Sequence, residues 1–347
     1  MVLHLSSSPP IRAPGIVQNP IGYSYGCILL RTRRDICQSW YAAVRAGRLC
    51  YNIHHYFSKE TDKMMADVDA RCPGIVPEGS QEYQAGARRV SARRYNGESM
   101  CILMVIHKRV RGYPIVLAAN RDEYYDRPSQ APHLLASCPA VWGGRDARAG
   151  GTWLGVNAYG LVVGLTNRRL GDDQQPDPQR RSRGLLCLEV LRCRTVTEAA
   201  ELLVKTPANL YNPFNILTGD QHELLWIAYD EIPRLQCLEP GVHILANGNV
   251  NDVDTVRIRR ARQLLQSTEQ TELAALLPHL EQVCSDHEVG VQDRETICMH
   301  RASDNYGTVS STILALPSDV RQPVYRYAPG HPCTIPYQEY SSLLLQT

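Results

Sequence analysis

The sequence predicts an α+β protein whose sheets and helices form separate layers, and three observations carry that expectation. Short apolar runs of strand length recur between turn residues from residue 101 onward. Helical periodicity falls in two pairs of segments set between blocks of strands, which argues against a βαβ parallel sheet. A Gly-rich phosphate loop is missing, because Gly143-Gly144 and Gly150-Gly151 lack both the spacing and the strand–helix context.

The elements follow in order. Residues 101–107 (CILMVIH) and 115–119 read as buried strands joined by the turn residues Arg111-Gly112-Tyr113-Pro114. Residues 153–157 and 161–166 form a second hairpin about Ala158-Tyr159-Gly160, and the polar stretch 168–183 is a long loop. Residues 185–193 and 197–205 are helical, the second capped by Thr195 or Thr197 with Glu198 and Glu201 in its first turn. Strands return at 215–218, 224–229 and 242–246. Two amphipathic helices follow at 253–266 and 272–283, then β-rich runs at 308–316 and 324–327.

Residues 1–99 read differently. They hold 13 Lys+Arg against 8 Asp+Glu, a net of +5 in a chain of net +2. Pro9-Pro10, Pro14 and Pro20 interrupt the start, and only 36–51 and 60–70 offer short helices. Six arginines and one acid in the first 58 residues suit a mitochondrial presequence. The acids Glu60, Asp62, Asp67, Asp69, Glu78 and Glu82 do not. The favoured reading is that translation begins at Met100 and 1–99 is a misassigned start, the alternative being a disordered leader; in either case 100–347 is one domain. The protein is then cytoplasmic, or mitochondrial if 1–99 are translated.

Composition sets further bounds. The chain is 44% hydrophobic and 21% charged, the profile of a globular protein with no demand for nucleic acid. None of its apolar runs reaches the roughly 20 residues of a membrane-spanning helix. The twelve cysteines show no CxxC and no paired Cys/His spacing, so no metal or cofactor is expected and reduced thiols are the default.

The chemistry centres on Cys101. Removal of Met100 would leave a thiol and a free α-amine on one residue. An α-amine with a reference pKa of about 7.7 can accept the proton of the thiol. Read alone, a cysteine after a methionine is more often just a buried thiol. Asn120-Arg121-Asp122-Glu123 then closes a buried strand with four polar groups. They make either a turn with a salt bridge or a site in which Arg121 stabilises a thiolate and Asp122 holds the amine. His300 and Arg301 read as solvated loop residues, Trp142, Trp153 and Trp226 as core, and Arg257, Arg259, Arg260 and Arg262 as a solvated helix face.

These residues belong to a larger set. It comprises Met100-Cys101-Ile102, the NRDE tetrad at 120–123, Arg127-Pro128, Gly144-Arg145-Asp146 and Gly150-Gly151-Thr152-Trp153-Leu154-Gly155. Leu165-Thr166-Asn167, Ser182-Arg183-Gly184, Phe214-Asn215, Pro240-Gly241-Val242-His243 and Tyr306-Gly307-Thr308 complete it. Together they closely resemble the NRDE, or transport and Golgi organisation protein 2, family. That family in turn resembles N-terminal nucleophile hydrolases of the choloylglycine hydrolase and penicillin V acylase branch.

The resemblance implies a four-layer αββα sandwich with Cys101 opening a central strand. It implies Asn167 and Asn247 as oxyanion donors and, by a looser match, Arg257 as a second site arginine. Two departures fall near this site: Ala246-Asn247-Gly248 stands where the family has Ser-Asn-Ala, and Tyr211-Asn212-Pro213-Phe214-Asn215 where it has Tyr-Asn-Gly-Phe-Asn. The implied activity is cysteine-dependent hydrolysis of a non-peptide C–N amide bond in a small molecule. The alternative is a non-catalytic carrier of haem or lipid, with a role in secretory organisation. Neither reading fixes an oligomeric state.

Overall fold

The computed structural model describes residues 101–168, 176–230, 233–266, 272–288, 296–318 and 323–345, all within one compact unit spanning Cys72–Thr347. Met100, the helices expected at 36–51 and 60–70, and part of the 168–183 loop lie outside the described residues.

Two seven-stranded antiparallel sheets form the centre. In the first, β1 (Ile102–Val110) lies between β10 (Gly241–Leu245) and β2 (Tyr113–Tyr124). β2 pairs with β12 (Tyr306–Leu316), which continues to β13 (Val324–Ala328) and β14 (Gln338–Glu339). The short β11 (His300–Arg301) adds to β12. The second sheet runs in chain order: β3 (Ser129–Ser137), β4 (Ala140–Asp146), β5 (Leu154–Asn157), β6 (Val162–Asn167), β7 (Phe214–Gly219), β8 (Leu224–Tyr229) and β9 (Arg234–Cys237).

Side-chain alternation builds the layers. Along β1, Leu103 and Val105 face the second sheet, where they meet Val156, Val162, Leu217 and Trp226. Ile102, Met104 and Ile106 face the other way, against α3 (Val256–Leu265) and α4 (Leu273–Cys284). The outer face of the second sheet, including Val163, Ile216 and Ile227, packs on α1 (Arg183–Val190) and α2 (Val196–Lys205). The order is therefore helices, sheet, sheet, helices: the expected αββα sandwich. Strands buried on both faces need no polar alternation, which is why the central ones read as unbroken apolar runs. Each fully buried Leu, Ile or Val contributes about 1.5–3 kcal/mol relative to exposure.

Several expectations need correction. The strands β3, β4, β9, β11 and β14 were not foreseen. β3 contains Pro132, which its edge position tolerates. β4 contains Gly143, where a Cβ would lie 2.5 Å from the Leu154 carbonyl oxygen, so the crossing of β4 and β5 needs glycine there. Thr195, not Thr197, caps α2, accepting from the Glu198 amide at 3.2 Å. Among the described cysteines Cys138 and Cys237 are disulfide-bonded, against the expectation of wholly reduced thiols, because spacing along the chain does not report which thiols folding brings together. No helix among the described residues is long and apolar enough to cross a membrane.

Candidate active site at the head of the first strand

Cys101 immediately precedes β1, half-buried. The register pairs Ile102 with Asn120 on β2, so Cys101 stands beside the start of the NRDE tetrad. Its Sγ lies 3.7 Å from the Asp122 carbonyl oxygen, to which the thiol donates. Burial, reinforced by the Asp122 carboxylate, pushes this thiol up to about 12 in the uncleaved chain. The hydrogen bond to the Asp122 carbonyl and the Arg121 guanidinium pull the other way and do not prevail. A thiol in that state is protonated at neutral pH and needs a base before it can attack.

The four tetrad side chains diverge. Asn120 is wholly buried and donates through Nδ2 to the carbonyls of Cys284 (2.8 Å) and Ile297 (2.9 Å), tying β2 to the end of α4. Asp122 is fully buried. Its Oδ2 accepts from Arg257 Nη2 at 2.9 Å and its Oδ1 from Thr308 Oγ1 at 2.6 Å. Thr308 Oγ1 also accepts the Met299 amide, at 2.9 Å, so its proton is committed to Asp122. Burial raises the Asp122 carboxyl, but with both oxygens accepting hydrogen bonds the geometry is that of a carboxylate.

Arg121 is almost fully buried, its guanidinium 4.3 Å above the Trp153 ring and within 3.9 Å of both Glu123 and Asp146. Arg127 binds Asp146 through Nε and Nη2, each at 2.8 Å, so the carboxylates of this rim are shared between two arginines.

Arg257 is wholly buried in the first turn of α3, which corrects its expected place on a solvated face. The correction has a simple cause: Asp122 is buried and demands a cation. Arg259 remains exposed, whereas Arg260 is engaged with Asp286 and Glu288. Trp142 and Trp226 are core as expected. Trp153 is half-buried and serves as the shelf beneath Arg121.

Asn167 ends β6, and Asn247 follows β10 on the other sheet. Their chain neighbours join them: Thr166 Oγ1 donates to the Ala246 carbonyl at 2.7 Å. Asn215 adds a second tie, donating from Nδ2 to Thr166 Oγ1 and to the carbonyls of Ala246 and Gly248 within 3.2 Å. Its Oδ1 accepts from Trp226 Nε1 and from Arg168. The two sheets are thus bridged where the two asparagines sit.

Thr308, Asn215, Trp153 and Asp146 are partners that the site reading missed. Each stood within a segment already singled out, but the residue types alone did not say which would converge. His300, expected as a solvated loop residue, is exposed on β11, yet it gathers with Cys298 and Cys333.

Two antiparallel sheets between helical layers, with Cys101 at the head of a central strand, give the αββα sandwich of the N-terminal nucleophile hydrolase-like fold class. Within that class the chain belongs to one family: the model described as Transport and Golgi organisation 2 matches residues 100–325. The mouse Transport and Golgi organization 2 homolog is 39% identical over 111 residues, 31% of this chain and 39% of the mouse protein. The bovine Transport and Golgi organization protein 2 homolog is 28% identical over 237 residues, 60% of this chain and 83% of that protein. The matched stretch thus spans well under half of the mouse relative and most of the bovine one.

Among solved structures, a Caenorhabditis elegans N-acylethanolamine-hydrolyzing acid amidase ortholog aligns at 16% identity with a TM-score of 0.47, covering 62% of this chain and 92% of that one. Penicillin V acylase from Agrobacterium tumefaciens aligns at 13% with a TM-score of 0.42, covering 66% and 82%.

Proposed function

We propose that this protein is an amidohydrolase whose working chain begins at Cys101 after loss of Met100, and that it cleaves a non-peptide C–N amide bond. The observation that carries the reading is the placement of Cys101 at the head of β1, against the Asp122 backbone and beside Arg121. The freed α-amine takes the thiol proton as Sγ attacks the amide carbonyl. The oxyanion is met by the amides of Asn167 and Asn247, where loss of one donor typically costs about 10²–10³ in rate. The ammonium returns the proton to the leaving amine, a thioester remains, and water activated by the same amine hydrolyses it to the acid. Asp122 and Arg257 are positioning residues, fixing the end of β2, and Arg121 supplies positive charge beside the sulfur.

The test is a full-chain preparation and one initiated at Met100, each characterised by intact mass and N-terminal sequence. Both are assayed for amine release from a panel of N-acyl amides. Turnover confined to chains beginning at Cys101, and abolished in Cys101→Ala, is the expected result. Turnover by chains in which Cys101 sits in an internal peptide bond would overturn the mechanism.

One observation favours a second reading. While residue 100 remains attached, the thiol stays protonated, and such a chain is a binding protein on the same fold, consistent with the transport role in the family's description. Retained binding of haem or fatty acyl ligands by Cys101→Ala, with no turnover in any form, would support it. Placement in the cytoplasm, or in mitochondria if residues 1–99 are translated, remains part of the proposal and is read by fractionation.

A further inference from the structure

Four metal-ligating side chains converge at one end of the first sheet, outside the residues used above. They are His287, just beyond α4; Cys298, which leads into β11; His300 on β11; and Cys333, in the turn after β13. One ligand atom from each lies within 4.8 Å of all the others. Cys298 Sγ is 3.7 Å from Cys333 Sγ and 3.6 Å from His300 Nε2, and His300 Nε2 is 3.3 Å from Cys333 Sγ.

These separations have a specific meaning. With Zn–S near 2.3 Å and Zn–N near 2.0–2.1 Å, the edges of a tetrahedron come to about 3.8 Å between two sulfurs and about 3.6 Å between sulfur and nitrogen. The three measured edges match to within about 0.3 Å. Nothing in the covalent chain requires this, since the ligands are spread over 47 residues and three separate segments.

The ligands are also held from behind. Arg260 binds Asp286 and Glu288, the carboxylates on either side of His287, at 2.6–3.0 Å. The Cys298 amide donates to the Asp286 carbonyl at 2.9 Å. The His331 carbonyl accepts from the amides of Thr334 and Ile335, closing the turn that presents Cys333. The His331 ring lies 3.9 Å from that of His300, and its buried Nδ1 makes no hydrogen bond among the described residues.

We propose that His287, Cys298, His300 and Cys333 form a Cys2His2 site for a zinc ion. The absence of a CxxC or paired Cys/His spacing had argued against zinc. Such spacing marks only ligands supplied by neighbouring turns, and this site draws them from three segments. A full set of four protein ligands makes the site structural, with no position left for a reacting water. The ion would clamp the 297–300 stretch, whose Ile297 carbonyl and Met299 amide serve Asn120, Arg257 and Thr308, to the ends of α4 and β13. The proposal does not depend on catalysis at Cys101, and its readouts do not involve activity.

The experiment uses the full chain, purified with reductant and without chelator. Elemental analysis should give one zinc per chain. Replacement by cobalt should give thiolate charge-transfer bands of two sulfurs together with the intense d–d bands of a tetrahedral ion. Cys298→Ser and Cys333→Ser should each weaken cobalt binding at least about 100-fold, whereas Cys193→Ser should leave it unchanged. Stripping the ion should lower the melting temperature of the native chain but not of the Cys333→Ser variant.

A fully reduced native chain that takes up neither ion overturns the proposal, as does a spectrum that survives in the Cys298→Ser/Cys333→Ser double variant. A Cys298–Cys333 disulfide in metal-free protein purified under reductant does the same. If the variants fail to fold, the native cobalt spectrum decides: two thiolates support the site, and any other number refutes it.

Discussion

At Asp122 a carboxylate without solvent contact is held by Arg257 on one oxygen and Thr308 on the other. Removing the cation leaves the charge buried, a change that typically costs about 3–5 kcal/mol. Arg257→Leu should therefore lower stability in urea unfolding by about that amount, and Asp122→Asn/Arg257→Leu by clearly less, because no bare charge remains. Equal losses would show that the pair acts only through packing. Cys101 allows a kinetic prediction. A fall of its thiol from about 12 toward the ordinary value of about 8.5 raises the thiolate fraction by about 3 × 10³. Lower intrinsic nucleophilicity takes back part of that gain, leaving about 100-fold. Alkylation of Cys101 by iodoacetamide at pH 7 should be faster by roughly that factor in chains that begin at Cys101, as read by peptide mass spectrometry.

Among the elements, β1 carries a titratable group in an apolar setting. His107 is only 2% exposed, and burial, aided by the charges of Lys108 and His243, lowers its pKa from 6.5 to about 4. The unfolded chain binds the proton first as pH falls. The stability tied to neutral His107 is therefore complete above about pH 6.5 and is lost between there and about pH 4, by on the order of 3 kcal/mol. His107→Leu should flatten that part of the pH–stability curve, and an unaltered slope would assign it to other groups. The approach of α1 to the loop before β5 is equally exacting: a Cβ on Gly151 would lie 2.2 Å from the Gly184 carbonyl carbon. Gly151→Ala should cost about 1–3 kcal/mol in thermal unfolding through overpacking.

For the molecule as a whole, the two sheets are joined by apolar contact throughout and by polar ties at one end, with Asn215 at their centre. Asn215→Ala would leave the Trp226 indole and two backbone carbonyls without that partner, a loss of at least about 2 kcal/mol. It should also impair the site, because Asn167 and Asn247 flank the tie. Both sheets, all four described helices and the three large core clusters lie between residues 101 and 345. A chain initiated at Met100 should thus unfold within a few degrees of the full chain in calorimetry. Failure of that shorter chain to fold would refute the domain division at residue 99.

The sequence by itself determined the layer class, the central strands and the helices. Runs such as 102–106 and 224–229 are apolar at every position because both of their faces are covered, and that pattern is local and legible. It also marked Cys101, the tetrad and Arg257 as a set, although only through their resemblance to a family. It did not show β3 and β4, whose Pro132 and Gly143 satisfy edge position and close crossing rather than strand preference. Nor did it show that Arg257 would be buried on Asp122, 135 residues away, or that His287, Cys298, His300 and Cys333 would meet. Those decisions belong to the tertiary structure, because ion pairing and metal geometry depend on separations in space that no local spacing along the chain encodes.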